Sequence, residues 1–185
     1  MRACCCPACD RAPDPGSPDA AGQDGPVRRS GDGFVHLPDG RVFWGRFGAA
    51  GLLLGHDDGT GLQLLLARRS HQVHRGGGTW AMPGGAIDLG EDALSAARRE
   101  FTEEIGPLPE RLQLLAIHEE VVVPGVWSYH SCLALVDERR AYGDDLTWEN
   151  DAVAWVGLDE LATLPLFGPF AATLPLLLPR YGVAP

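Results

Sequence analysis

The sequence predicts a mixed α/β domain, a sheet with helices packed on both of its faces, and three observations carry that prediction. Apolar runs at residues 47–54, 62–68, 112–123, 126–135 and 152–156 have strand length and are bounded by glycine, proline and aspartate. Between the second and third of these lies one stretch of helical spacing, where Leu94, Ala97, Phe101 and Ile105 fall on a shared arc. The chain has 185 residues and 45% hydrophobic content, enough for one domain with its own core.

Residues 1–30 are rich in Pro, Gly, Asp and Ala and nearly devoid of large apolar side chains, so they are expected to form a disordered tail. The domain is expected to occupy 31–185. Phe34, Val35 and His36 and residues 41–46 flank Pro38-Asp39-Gly40, which predicts a hairpin, with Phe43 and Trp44 packing there or edging a base pocket. The runs at 47–54 and 62–68 are separated by the turn-rich 56–61 and should pair antiparallel. A glycine run at 76–78 precedes a short strand at 79–82, the turn Pro83-Gly84-Gly85, and a helix running to about Ile105. The strands 112–123 and 126–135 turn around Pro124-Gly125, and a polar loop at 137–151 leads to the strand 152–156. Residues 161–179 are uncharged, but Pro165, Pro169, Pro175 and Pro179 interrupt them, so a short helix with docked turns is expected rather than a membrane span.

The chemistry concentrates on the helix. Glu100, Glu103 and Glu104 fall within an arc of roughly 100° beside the apolar one. Like charges at i and i+4 weaken a helix by a few tenths of a kcal/mol, so a compensating cation is expected. Clustered hard oxygens suit Mg²⁺ or Mn²⁺, and Mg²⁺ is typically shared between a few carboxylates and phosphate oxygens. The Pro83-Gly84-Gly85 turn lets backbone approach a ligand closely, so a main-chain carbonyl can join such a shell.

The spacing of Gly85, Glu91, Arg99, Glu100, Phe101, Glu103, Glu104 and Gly106 resembles the Nudix box, G-x5-E-x7-R-E-U-x-E-E-x-G-U with U apolar. Only the last position departs, where Pro107 ends the helix. A solvated acidic helix face would explain any one of these glutamates but not the spaced set. Residues 42–51, the run from Gly77 through Trp80 to the Pro-Gly-Gly turn, residues 126–129 and residues 148–151 are similar to Nudix proteins of the MutT type. The resemblance covers roughly 31–178 and implies the Nudix fold, an α/β/α sandwich with a mixed β-sheet.

By that resemblance Glu100, Glu103 and Glu104 hold divalent metal with the carbonyl of Gly84, Glu100 is the first choice to position the attacking water, and Arg99 orients the carboxylates. Glu91 is expected to be structural, near the helix start where negative charge is favoured. Arg68, Arg69, His71, His74 and Arg75 form a cationic cluster, with Arg69 the first choice for a phosphate contact and a solvated loop the alternative. Glu149 is a candidate further acidic ligand or base, with Glu119 and Glu120 competing. Trp127 and Tyr129 share one side of their strand and either stack on a base or pack in the core. Cys132 is expected to be buried and inert.

A net charge of −10 argues against a sequence-independent grip on nucleic acid and leaves a small-molecule nucleotide as the partner. Cys4, Cys5, Cys6 and Cys9 crowd the start of the chain and do not make a disulfide framework, which fits a cytoplasmic protein; a lone C-x-x-C at Cys6 and Cys9 is a weak zinc signal. The N-terminus lacks the apolar stretch of a secretory signal. The expected activity is Mg²⁺-dependent hydrolysis of a nucleoside di- or triphosphate to the monophosphate, with 8-oxo-dGTP the leading candidate. ADP-ribose or a nucleotide sugar is the second enzymatic reading, and a non-catalytic nucleotide sensor the reading from another class.

Overall fold

The computed structural model describes residues 30–144 and 146–183. The expected tail, with Cys4, Cys5, Cys6 and Cys9, lies outside the described residues. Phe34–His36 (β1) and Val42–Trp44 (β2) pair antiparallel as a separate hairpin. Ala49–Asp57 (β3), Leu62–Arg69 (β4), Trp80–Ala81 (β5), Gly84–Ala86 (β6), Leu112–Val123 (β7), Trp127–Val136 (β8) and Asn150–Gly157 (β9) form one seven-stranded sheet. The helices are Ala93–Glu104 (α1), Leu158–Leu161 (α2) and Gly168–Leu177 (α3), the last followed by a 3₁₀ turn at Leu178–Tyr181.

The sheet is mixed because β3 runs parallel to β8 from Ala49↔Tyr129 to Gly55↔Leu135. The expected antiparallel pairing of β3 with β4 holds only at their joined ends, Gly55↔Leu64 to Asp57↔Leu62. Beyond that the two strands diverge: β4 is paired along its length with β9, while β5 and β6 fill the opening against β4 and β3. His56 and Asp57 therefore belong to β3 and not to a turn. His56 is buried and its Nδ1 lies 3.0 Å from the Val136 carbonyl oxygen, a tertiary contact that outweighs local turn preference.

Period-two alternation sends successive residues to opposite faces. Ala50, Leu52, Leu54, Leu65, Ala67, Cys132 and Ala134 pack on one face against Ala96, Ala97, Phe101 and Ile105 of α1. Leu53, Leu64, Leu66 and Leu133 pack on the other against Leu161, Phe170, Leu174 and Leu177 of α2 and α3. The result is the three-layer α/β/α arrangement.

At the start of α1, Asp92 Oδ1 accepts from the Leu94 and Ser95 amides, both at 3.0 Å, which satisfies donors the first turn leaves open. The Ile105 and Gly106 amides both donate to Phe101 O, and Gly106 has φ of 129°, a conformation open to glycine. The C-terminal segment corrects the sequence expectation. The short helix and turns are present as α2 and residues 162–167, but the segment then forms α3 over ten residues, with Pro169 in its first turn and Pro175 inside it. Burial of Phe170, Leu174 and Leu177 offsets the hydrogen bond that Pro175 cannot make. Among the described residues no helix is long and apolar enough to cross a membrane.

Candidate active site

The site forms at the C-terminal half of α1, where β6 and the turn leading into β9 come against it. Arg99 is its organising cation. Its Nη2 donates to Ala86 O at 2.8 Å and to Glu91 Oε2 at 2.9 Å, and its Nε donates to Glu91 Oε1 at 3.2 Å. Its Nη1 donates to Glu100 Oε1 at 2.7 Å and to Glu103 Oε2 at 3.3 Å. Glu91 and Glu100 together hold the guanidinium cationic. One residue thereby ties α1 to β6, to the turn before the helix, and to two of the three box carboxylates. Glu91 is structural as expected, but through Arg99 and the Asp88 amide, which donates to its Oε2 at 3.2 Å, rather than through the helix dipole.

The glycines are required by close approach. At Gly85 an added Cβ would collide with the Glu100 carboxylate, so that carboxylate lies directly against the Gly84–Gly85 backbone. At Gly84 the same addition would collide with Ala50 O in β3.

Glu104 is only 8% exposed, an unusual place for a lone carboxylate. Asn150 Nδ2 donates to its Oε2 at 3.1 Å, and the Glu149 carboxyl lies within hydrogen-bonding reach. Burial, then Glu149 and Glu100, push its pKa up to about 8. Glu100 is also pushed up, chiefly by burial and against the pull of Arg99. Glu103 stands at the exposed rim. Among the described residues no three His, Cys, Asp or Glu side chains already form a closed metal cluster. The residue chemistry nevertheless suits a hard divalent cation: Glu100, Glu103 and Glu104 on one half of α1 and Glu149 beside Glu104 all offer carboxylate oxygen, with Arg99 as counter-charge to Glu100 and Glu103.

Of the three candidates for a further acidic group, Glu149 is the one brought to Glu104. Glu120 accepts from Thr173 Oγ1 at 2.7 Å, and Glu119 Oε1 lies 3.7 Å from His130 Nε2. Asn150 is a site residue that sequence reasoning misses: its polar surroundings suggest a loop, whereas it opens β9 and reaches back to α1. The turn that presents these residues is pinned by the Ser70 amide donating to Glu149 O at 2.7 Å.

Arg69 ends β4 beside this turn, paired with Asn150 in the sheet register. Its guanidinium lies 5.1 Å from the Phe167 ring centroid, and its Nε donates to Arg75 O at 3.1 Å. Tyr129 is half-buried, with its hydroxyl over Gly51. Burial and the nearby Glu104 push its pKa up, while Arg69 opposes the shift. Trp127 is occupied as a support. Phe43 stacks on it at 4.7 Å, and its Nε1 donates to Trp44 O and Gly45 O at 3.2 and 2.9 Å. Cys132 is buried, as expected, with its pKa up to about 11 through desolvation.

The NUDIX domain family model matches residues 45–177. A Mycobacterium tuberculosis protein provisionally named 8-oxo-dGTP diphosphatase 3 is 41% identical over 155 residues, covering 80% of this chain and 69% of its own. The asymmetrical bis(5'-nucleosyl)-tetraphosphatase of Rattus norvegicus is 31% identical over 120 residues, covering 63% of this chain and 79% of its own. Among solved structures, the Nudix hydrolase RenU of M. smegmatis superposes with a TM-score of 0.73 at 36% identity, covering 84% of this chain and 98% of that one. The chain therefore belongs to the Nudix family and is a pyrophosphohydrolase of that family.

Proposed function

We propose that the protein hydrolyses an oxidised purine nucleoside triphosphate, with 8-oxo-dGTP as the leading substrate, to the monophosphate and pyrophosphate in the presence of Mg²⁺. The observation that carries this reading is the buried Glu104, held by Asn150 with Glu149 beside it, on the same helix as Glu100 and Glu103, a set of carboxylates that suits a divalent cation and a phosphate ligand. The 41% identity to the mycobacterial protein supports the choice of base.

In this reading Glu100, Glu103 and Glu104 hold Mg²⁺ with the Gly84 carbonyl. A cation held by these residues would neutralise phosphate charge and lower the pKa of a bound water. Arg99 takes one oxygen of Glu100 and fixes the carboxyl group, leaving the other oxygen for metal or water. Glu100, fixed by Arg99 against the Gly84–Gly85 backbone, is placed to position the attacking water and accept its proton. Glu149, beside Glu104, serves as a further acidic ligand or base, and Arg69 contacts the phosphate chain from the end of β4. Water attacks a phosphorus of the α–β anhydride and gives its proton to Glu100, the bridging P–O bond breaks, and its electron pair leaves on the departing fragment, giving monophosphate and pyrophosphate. The small-molecule partner is a nucleotide.

A hydrolysis panel with Mg²⁺ and mass-spectrometric product identification tests this. It contains 8-oxo-dGTP, dGTP, a dinucleoside tetraphosphate, ADP-ribose and a sugar nucleotide. Preferential formation of 8-oxo-dGMP and pyrophosphate is expected. Faster cleavage of the dinucleoside tetraphosphate or of ADP-ribose would replace the substrate, and nucleotide bound intact after long incubation would replace hydrolysis with sensing.

A further inference from the structure

The outward face of the β1–β2 hairpin carries aromatic rings that neither core uses. Phe34 and Trp44 are cross-strand partners with ring centroids 5.0 Å apart, and they are 44% and 45% exposed. His36 meets Phe34 edge-on at 6.3 Å, and His74, from the 70–79 segment, meets it at 5.6 Å. The opposite face of the hairpin is fastened down by the Phe43–Trp127 stack and by the Trp127 indole donating to the Trp44 and Gly45 carbonyls. Trp44 is thus held outward on a backbone fixed from beneath.

The hairpin backbone beside this cluster approaches β6, the strand against which Arg99 and Glu100 are held. A Cβ at Gly45 would lie 3.5 Å from the Ala86 Cα, and Ala86 O is the acceptor of Arg99, while the neighbouring Gly85 bears the Glu100 carboxylate against its backbone. Consecutive Cα atoms are about 3.8 Å apart, so Trp44 stands within a few residue steps of the strand the site is built on. From the other side His74 belongs to the segment that follows Arg69 and contains Arg75. The rings thus touch the cationic segment through His74, and the backbone that carries Trp44 runs beside β6.

A cross-strand aromatic pair stabilises a hairpin, and that accounts for Phe34 with Trp44. It does not account for a further ring reaching in from the cationic segment, or for Trp44 being left nearly half exposed. Planar bases stack on such surfaces, while adjacent cations suit their phosphates. We propose that Trp44, backed by Phe34 and flanked by His74, is the stacking platform for the substrate's base and makes the enzyme select nucleosides over bare polyphosphate. The inference rests on the nucleotide-hydrolase reading above.

Equilibrium binding to the full chain tests it without depending on turnover. The ligands are a non-hydrolysable 8-oxo-dGTP analogue and inorganic tripolyphosphate, each with Mg²⁺, against wild type, Trp44→Ala and Trp44→Phe. Trp44→Ala should weaken nucleotide binding by roughly 5- to 150-fold and leave tripolyphosphate unchanged, with Trp44→Phe restoring most of the loss. Unchanged nucleotide affinity in Trp44→Ala, or an equal loss for both ligands, overturns the platform. If Trp44→Ala does not fold, Trp44→Leu takes its place, and a Trp44→Leu chain that binds nucleotide as tightly as wild type overturns the platform as well. Wild type that binds the analogue but turns over no nucleotide sinks the hydrolase reading alone.

Discussion

Glu104 occupies a place that disfavours its charge, and this has a signed consequence. Its folded pKa of about 8 lies above the ordinary value of 4.5, so between these limits the native state binds the proton more tightly than the unfolded chain. Stability of the metal-free protein should therefore be undiminished below about pH 4.5, fall as pH rises through the window, and level off above about 8. Each tenfold difference in proton affinity between the two states is worth about 1.4 kcal/mol, and each kcal/mol moves the Tm of a chain this size by about 2–4 °C. Glu104→Gln keeps an acceptor for Asn150 but removes the titration. Thermal scans in EDTA from pH 5 to 9 should show a falling Tm for wild type and a flatter profile for the variant, which should also lose turnover with Mg²⁺. Parallel profiles, or near-normal activity of the variant, would refute the role of Glu104. The glutamates are legible in the sequence because their spacing is local to one helix. Asn150 is not, because its partner lies 46 residues away and only β9 pairing with β4 brings the two together.

Helix α1 must satisfy a core on one side and a charged site on the other. Phe101, fully buried between β3 and β8, sits in register between Glu100 and the Glu103–Glu104 pair, so packing of its ring sets where the carboxylates stand. Phe101→Ala should cost about 3–5 kcal/mol, measured by denaturant unfolding, with a drop in Tm on the order of 10 °C. A loss below about 1 kcal/mol would mean that the helix is positioned by Arg99 rather than by its core face. Periodicity locates this helix closely, since Leu94, Ala97, Phe101 and Ile105 already trace the arc that packs. It locates α3 poorly. Four prolines argue for breaks, yet Pro169 falls in the first turn and Pro175 lies near the far end, so burial of the face between them prevails over propensity. The divergence of β3 from β4 is also hidden, because apolar runs reveal that strands exist but not which neighbour each one takes.

At the scale of the whole molecule, an acidic chain must still attract a polyanion. Arg41 and Arg68 are already paired with Asp39 and Asp151, whereas the Arg69 guanidinium rests on the Phe167 ring beside the turn that carries Glu149, so the net charge of −10 does not exclude local positive charge at the end of β4. Binding beside the hairpin depends on its being joined to the domain, and among the described residues the joining hydrogen bonds start at Gly31. The Gly31 amide donates to Asp88 Oδ1 at 2.7 Å, the Arg46 amide donates to Gly31 O at 2.8 Å, and the Gly45 amide donates to Gly33 O at 2.9 Å. Both hydrophobic cores are built from residues after Gly48. A chain beginning at Ser30 should therefore match the full chain in Tm and in nucleotide kinetics. A chain beginning at Asp39 loses β1 and these three hydrogen bonds, each worth about 1 kcal/mol, so its Tm should fall by roughly 5–10 °C. Its nucleotide KM should rise more than its kcat falls, because the carboxylates and Arg99 remain in place while the rings of the hairpin lose their support. If the Ser30 chain already shows these losses, the first 29 residues contribute to the site and the boundary at Gly31 is misplaced; if the Asp39 chain shows none, the hairpin is dispensable for binding.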